Sequence, residues 1–121
     1  VNTVYLIVTI LFAAIVSVSG VGKILRHPQI VHVIHEVIGL PLKYLSLLAA
    51  LEFAGALGLI VGIWWPWIGV AGSIGLVLYF VGATVFHLRV GDFKGVGPAA
   101  FLLVVAAGAL ALRILTLGTP R

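Results

Sequence analysis

An all-α integral membrane bundle of four spanning helices, with a short interfacial helix between the first and second spans, is the architecture this amino-acid sequence predicts. Three observations lead there. The chain is 63% hydrophobic and only 8% charged, with a mean hydropathy of +1.32, far outside the range of soluble domains, so a bilayer must be its solvent. Its apolar residues come in continuous runs with no period-two alternation, which favours helices over a barrel. Four of these runs approach the roughly 20 residues that a helix needs to cross a hydrocarbon core about 30 Å thick. The 121 residues make one domain.

The first span is expected over about residues 4–21. Ser17-Val18-Ser19 has a small-x-small pattern, but the run is long and no basic segment precedes it, which argues against a cleaved signal. The second span covers about 42–63, interrupted by the single acid Glu52; the third covers about 67–86; the fourth covers about 99–116, with Arg113 near its end. Pro41, Pro66 and Pro98 each lie just before an apolar run, where a missing N–H costs nothing and φ is already helical. Between the first two spans, residues 28–38 are too short to cross. Ile30, Val33, Ile34 and Val37 fall on one helical face and Gln29, His32 and Glu36 on the other, so this helix is expected to lie in the interface or fold back as a roof over the bundle.

The formal charge of +4 comes from seven basic residues scattered among apolar runs; they form no basic groove, which excludes nucleic-acid binding. Lys23, Arg26 and Lys43 are assigned to the loop between spans one and two, and Arg89 and Lys94 to that between spans three and four. The opposite side carries the uncharged belt Trp64-Trp65-Pro66-Trp67, with Arg113 and Arg121. The positive-inside rule then places both basic loops in the cytoplasm and the termini outside. With no cysteine, the chain has no disulfide framework, thiolate ligand or CxxC relay.

Glu52 lies about ten residues into the second span, where an ionisable side chain costs roughly 2.5–3.5 kcal/mol to insert, so it should face the bundle interior or a cavity. Its neighbours at three and four residues, Leu48, Ala49, Gly55 and Ala56, are mostly small and invite a second helix close by. Glu52 is therefore either protonated or held by a cation or hydrogen-bond donor, unless it serves only to tie helices together. Tyr79, at similar depth on span three beside Gly75, Gly82 and Ala83, is the first expected partner.

HLRVGD, residues 87–92, closes span three. One reading is a solvated helix end with an Arg89–Asp92 pair at i,i+3; the other turns His87 inward, giving a proton ladder from Glu52 through Tyr79 to His87 and Asp92. His32-x-x-His35-Glu36 has metal-ligand residue types without a recognisable distant ligand, and no metal site is assigned. SGVGK, residues 19–23, fails as a phosphate loop. Gly58-x-x-x-Gly62 suits a close helix crossing, within the chain or between the protomers of a homodimer.

The order SGVGKI, HEVIGLP, the intramembrane Glu52 followed by GALGLIVGIW, and then GLVLYFVGATVFHLRVGD resembles the DoxX-like family of small bacterial four-helix membrane proteins over nearly the whole chain. That resemblance implies a polar pattern of Lys23, Glu52, His87, Arg89 and Asp92, with Pro98 opening the last span. The family takes its name from a membrane subunit of an archaeal quinol-oxidising, thiosulfate-linked system; other members look like membrane partners of soluble redox or sulfur-transfer proteins, and distant relatives assist membrane-protein assembly. A fold cannot choose among such roles.

The favoured expectation is a bacterial inner-membrane subunit that binds a small apolar, quinone-like ligand between its helices, in partnership with a soluble oxidoreductase. Glu52, His87 and Asp92 would handle protons, while Tyr79, Arg89 and Lys23 would contact the ligand. Whether the chain is itself an enzyme stays open. The alternatives are a stand-alone acid–base isomerase, hydrolase or cyclase acting on a lipophilic substrate, an assembly factor whose polar residues only set helix register, and a small proton-coupled transporter.

Overall fold

The computed structural model describes residues 2–117, which leaves Arg121 outside the described residues. Helix α1 spans Asn2–Ile24. The short helix α2 is α-helical over Pro28–Val31 and π-helical over His32–Ile38. A 3₁₀ turn, Leu42–Tyr44, leads into α3, Leu45–Val61; α4 spans Pro66–Arg89 and α5 spans Phe93–Leu115. Four segments, Asn2–Ile24, Leu42–Val61, Pro66–Arg89 and Phe93–Leu115, are long and apolar enough to cross a membrane. The all-α architecture is thus as expected, with no strand among the described residues.

α1 packs on α3, α3 on α4 and α4 on α5, and α5 closes the ring against α1. The core between them holds Phe12 and Val16 of α1, Leu59 of α3, Leu76 and Phe80 of α4, and Ala106 and Ala109 of α5. Large apolar side chains such as Leu11, Leu57, Leu78 and Val104 point outward, as expected where acyl chains are the solvent and close packing replaces the hydrophobic effect as the force between helices.

The closest crossing is between α3 and α4. A Cβ on Gly58 would lie 3.1 Å from the Gly72 Cα, and one on Gly62 would run into the Gly69 backbone. The Gly58-x-x-x-Gly62 motif is thus used within the chain, and this surface is not free to join two protomers.

Two boundaries differ from expectation. α1 continues to Ile24, so Lys23 belongs to its last turn and not to a loop. Arg26 then ends the helix at φ 53, with the His27 N–H reaching back to the Gly22 carbonyl at 2.9 Å. The last span starts at Phe93, not after Pro98, and Pro98 lies inside α5. Asp92 overrides the proline signal by capping α5, its Oδ1 accepting from the Gly95 N–H at 3.3 Å, and this satisfies an otherwise orphaned donor. Pro66, by contrast, does open α4.

α1 also stops early relative to α3. Gly20 is level with the Phe53 ring, so α1 ends about one turn beyond Glu52, while α3 extends about two turns beyond it toward the same end. The returning chain, residues 25–41, fills that step. The half-buried Ile30, Val33, Ile34 and Val37 face inward and His32, His35 and Glu36 outward, the roof expected from the apolar pattern.

The glycine seam is testable. Gly62→Ala should lower unfolding stability by about 1–3 kcal/mol through overpacking against backbone. Gly75→Ala, with open space around the new methyl, should leave stability unchanged or slightly raised. Thermal unfolding in detergent micelles measures both, and equal losses would refute the seam.

Candidate functional site

The site is built around Glu52, 1% exposed on the α3 face that also buries Ala49, Gly55 and Ala56. Opposite it, Ser19 and Lys23 stand one turn apart on α1, and Gly20 between them has no side chain to hold off the Phe53 ring. This close approach brings the Lys23 Nζ to 2.7 Å from the Glu52 Oε1. The same Nζ donates to the Ser19 Oγ at 2.7 Å, and Ser19 donates to the Glu52 Oε1 at 3.2 Å. Glu52 is therefore held by a cation. A paired, hydrogen-bonded and net-neutral group is the form in which charge is tolerated away from water.

Tyr79 lies half-buried on α4 with its phenol interacting with the Glu52 carboxylate and its ring edge-on to Phe80 at 5.0 Å between centroids. It is a neighbour of Glu52, while Lys23 is the ionic partner.

A second polar pair sits where α4 hands over to α5. The His87 Nδ1 is 2.8 Å from the Asp92 Oδ2, and the ring lies against the first turn of α5, where any Cβ on Gly95 would strike it. An ionised Asp92 can only accept, so Nδ1 carries the hydrogen, and in the neutral ring Nε2 is then the nitrogen with the free lone pair. Asp92 thus orients the imidazole with one oxygen and caps α5 with the other.

Both pairs line one cavity of about 790 Å³ with mainly apolar walls from Leu48, Ala83 and Leu102, roofed by Val33, Ile34 and Val37. That volume is typical of sites for drug-sized ligands, which combine apolar walls with a few convergent polar groups. Ser19, Lys23, Glu52 and Tyr79 form one polar cluster; His87 and Asp92, with Lys94, form the other. The continuous ladder expected from the sequence is broken. Tyr79 and His87 lie eight residues apart on α4, about 12 Å along its axis, and among the described residues no hydrogen bond joins them.

Arg89 departs from its expected role. It is exposed at the end of α4, does not line the cavity, and has no ion pair among the described residues, because Asp92 is taken by His87. On the roof, the exposed His32 pairs with Glu36 at 2.6 Å and the His35 Nδ1 meets the Leu40 carbonyl at 2.9 Å, so these side chains serve the short helix itself.

Ser19, Gly20 and Gly95 were missed from the sequence. Ser19 had a readable signal in its i,i+4 spacing to Lys23 on one helical face. The two glycines had none, because each is explained by a side chain on another helix.

A model of the DoxX-like family matches residues 7–109. The chain belongs to the DoxX-like family. The matched segment runs from α1 into α5 and contains every residue of both polar clusters, so the cavity of this DoxX-like protein lies inside the family domain. Neither a curated protein nor a solved structure matches the chain.

The Lys23–Glu52 pair makes a prediction about stability. Lys23→Met strands a buried carboxylate and should cost about 3–5 kcal/mol, whereas the double variant Lys23→Met/Glu52→Leu should recover most of that loss. Unfolding of the four proteins in mixed micelles gives the double-mutant cycle; additive losses would mean that the two groups do not act as a pair.

Proposed function

We propose that this DoxX-like protein binds one lipophilic molecule with a hydrogen-bonding head, of the quinone class, in the roofed cavity, and exchanges protons with it as the membrane subunit of a redox-associated complex. The observation that carries the reading is the pair of separate polar clusters facing a single apolar space. A flat ring with oxygens on opposite edges suits that arrangement, with an apolar tail against Leu48, Leu102 and the roof.

The bound group would supply the two-electron chemistry, and the chain's own residues would manage protons. His87 accepts one at Nε2, and the resulting imidazolium is stabilised by Asp92 at 2.8 Å. Glu52 accepts another, with Lys23 and Tyr79 adjusting their hydrogen bonds around it. With the ligand in its reduced, hydroquinone form, the two electrons released with these protons would pass to a redox cofactor of a soluble oxidoreductase docked at the basic end, which the positive-inside rule turns toward the cytoplasm.

The His87–Asp92 pair also favours a second reading. An imidazole held in one tautomer by a carboxylate is an oriented general base, and with Tyr79 as acid it would suit isomerisation or hydrolysis of a lipophilic substrate without any partner.

Solvent extraction of the purified protein separates the two. The redox reading expects about one quinone per chain, with affinity falling about tenfold or more, about 1.4 kcal/mol, in Glu52→Ala. Gly82→Leu, placed where nothing lies within 4 Å on the cavity wall, should expel the ligand while leaving the fold intact. Partner-free turnover of a lipophilic epoxide or alkene, abolished by His87→Asn, would favour the enzyme. Protein that carries no apolar ligand under any condition would refute the redox reading.

A further inference from the structure

The end of the bundle opposite the cavity holds a further buried polar cluster that the proposed function does not use. Arg113 lies in the last turn of α5, only 1% exposed. Its stem packs against Gly69 of α4, and its guanidinium lies over the Tyr5 ring, 4.5 Å from the centroid. Among the described residues the guanidinium makes one hydrogen bond, a long one from Nη2 to the Thr116 carbonyl at 3.4 Å. Among the same residues Nε and Nη1 have no partner, nor do the hydroxyls of Tyr5 and Thr9 on α1, and all four atoms are closed off from water.

No acidic side chain among the described residues pairs with the charge. The three acidic residues are Glu36, Glu52 and Asp92, and each is engaged by a lysine or histidine side chain at the cavity end. Asp92 and Arg113 bracket α5, so about 30 Å of helix separates them. A guanidinium does not deprotonate in proteins, and an unpaired buried charge is among the least tolerable features of an interior. An arginine near a helix end ordinarily extends its head toward the water, yet this one is drawn inward between α1, α4 and α5. Among the described residues the Arg113 Nε and Nη1 are buried donors without an acceptor, and the unpaired Tyr5 and Thr9 hydroxyls on α1 can donate as well. Such a set matches the oxygens of an anion, and a fork of guanidinium N–H groups is the usual receptor for carboxylate or phosphate.

We propose that Arg113, Tyr5 and Thr9 form a binding site for a single small oxyanion, a carboxylate or a phosphate, at the end of the bundle marked by Trp64, Trp65 and Trp67. That belt sets the level of the headgroups, where both lipid phosphates and soluble anions are at hand. The Tyr5 ring covers the guanidinium, so it is the part that moves when the anion binds. The Thr9 hydroxyl, about one turn deeper on α1, closes the inner side of the site.

The test is thermal unfolding of the full chain in neutral maltoside micelles, followed by tryptophan fluorescence. Sodium phosphate and sodium formate are titrated against sodium chloride at constant ionic strength, and short-chain phosphatidylglycerol is titrated in a separate arm. A ligand of the folded state alone raises the midpoint in a saturable way. Wild-type protein should show that rise, Arg113→Met should not, and Tyr5→Phe or Thr9→Val should need several-fold more anion. A response to inorganic phosphate or formate identifies a soluble anion as the ligand, and a response confined to phosphatidylglycerol identifies a lipid headgroup. The proposal is overturned if wild-type protein shows no saturable rise in either arm, a result that needs no variant to fold, or if Arg113→Met responds as wild type does.

Discussion

The carboxylate of Glu52 sits where there is no water to solvate it, and the protein must supply that solvation itself. Lys23 and Ser19 do so from a single face of α1. For them to reach, α1 and α3 must approach closely, which Gly20 permits against Phe53, and α1 must end just past the level of the pair. The early end of α1 leaves a step beside α3, and the returning chain fills it with a short helix, not with a further turn of spanning helix. The ion pair and the roofed cavity are thus two consequences of the same local geometry.

The bundle is tight at one end and hollow at the other for an identifiable reason. Between α3 and α4 the glycines of both helices meet backbone to backbone toward the tryptophan belt, where neither helix has side chains to hold them apart. Toward the basic end the same helices carry Leu48, Glu52, Tyr79 and His87, and they part around them. Chemistry of the proposed kind needs this asymmetry: close packing excludes water from one side of the ligand, while the short helix roofs the space on the other.

The two ends also solve the problem of charge differently. At the cavity end every acid has a base within reach, through Lys23, His87 or His32. At the far end Arg113 has an aromatic ring and a carbonyl but no acid. A chain this short of acids could have avoided the unmatched charge by placing a leucine there, and the arginine is best understood through a partner that comes from outside the chain.

Much of the architecture was legible in the amino-acid order alone, because crossing a bilayer is a local requirement. Run length decides which segments span, Pro66 marks one start through its fixed φ, and the spacing of Ile30, Val33, Ile34 and Val37 shows that the short helix has an inner face. The inward direction of Glu52 followed likewise from the cost of exposing an acid to lipid. Relations between helices were not legible. Lys23 reads as a loop charge until α1 is seen to continue through it, Pro98 reads as a helix start until Asp92 is seen capping the helix six residues earlier, and Arg89 reads as the partner of Asp92 that His87 turns out to be. Each of these depends on which side chains meet across the bundle, and only the tertiary packing, by bringing residues distant in sequence within a few ångströms, decides which competing local signal prevails.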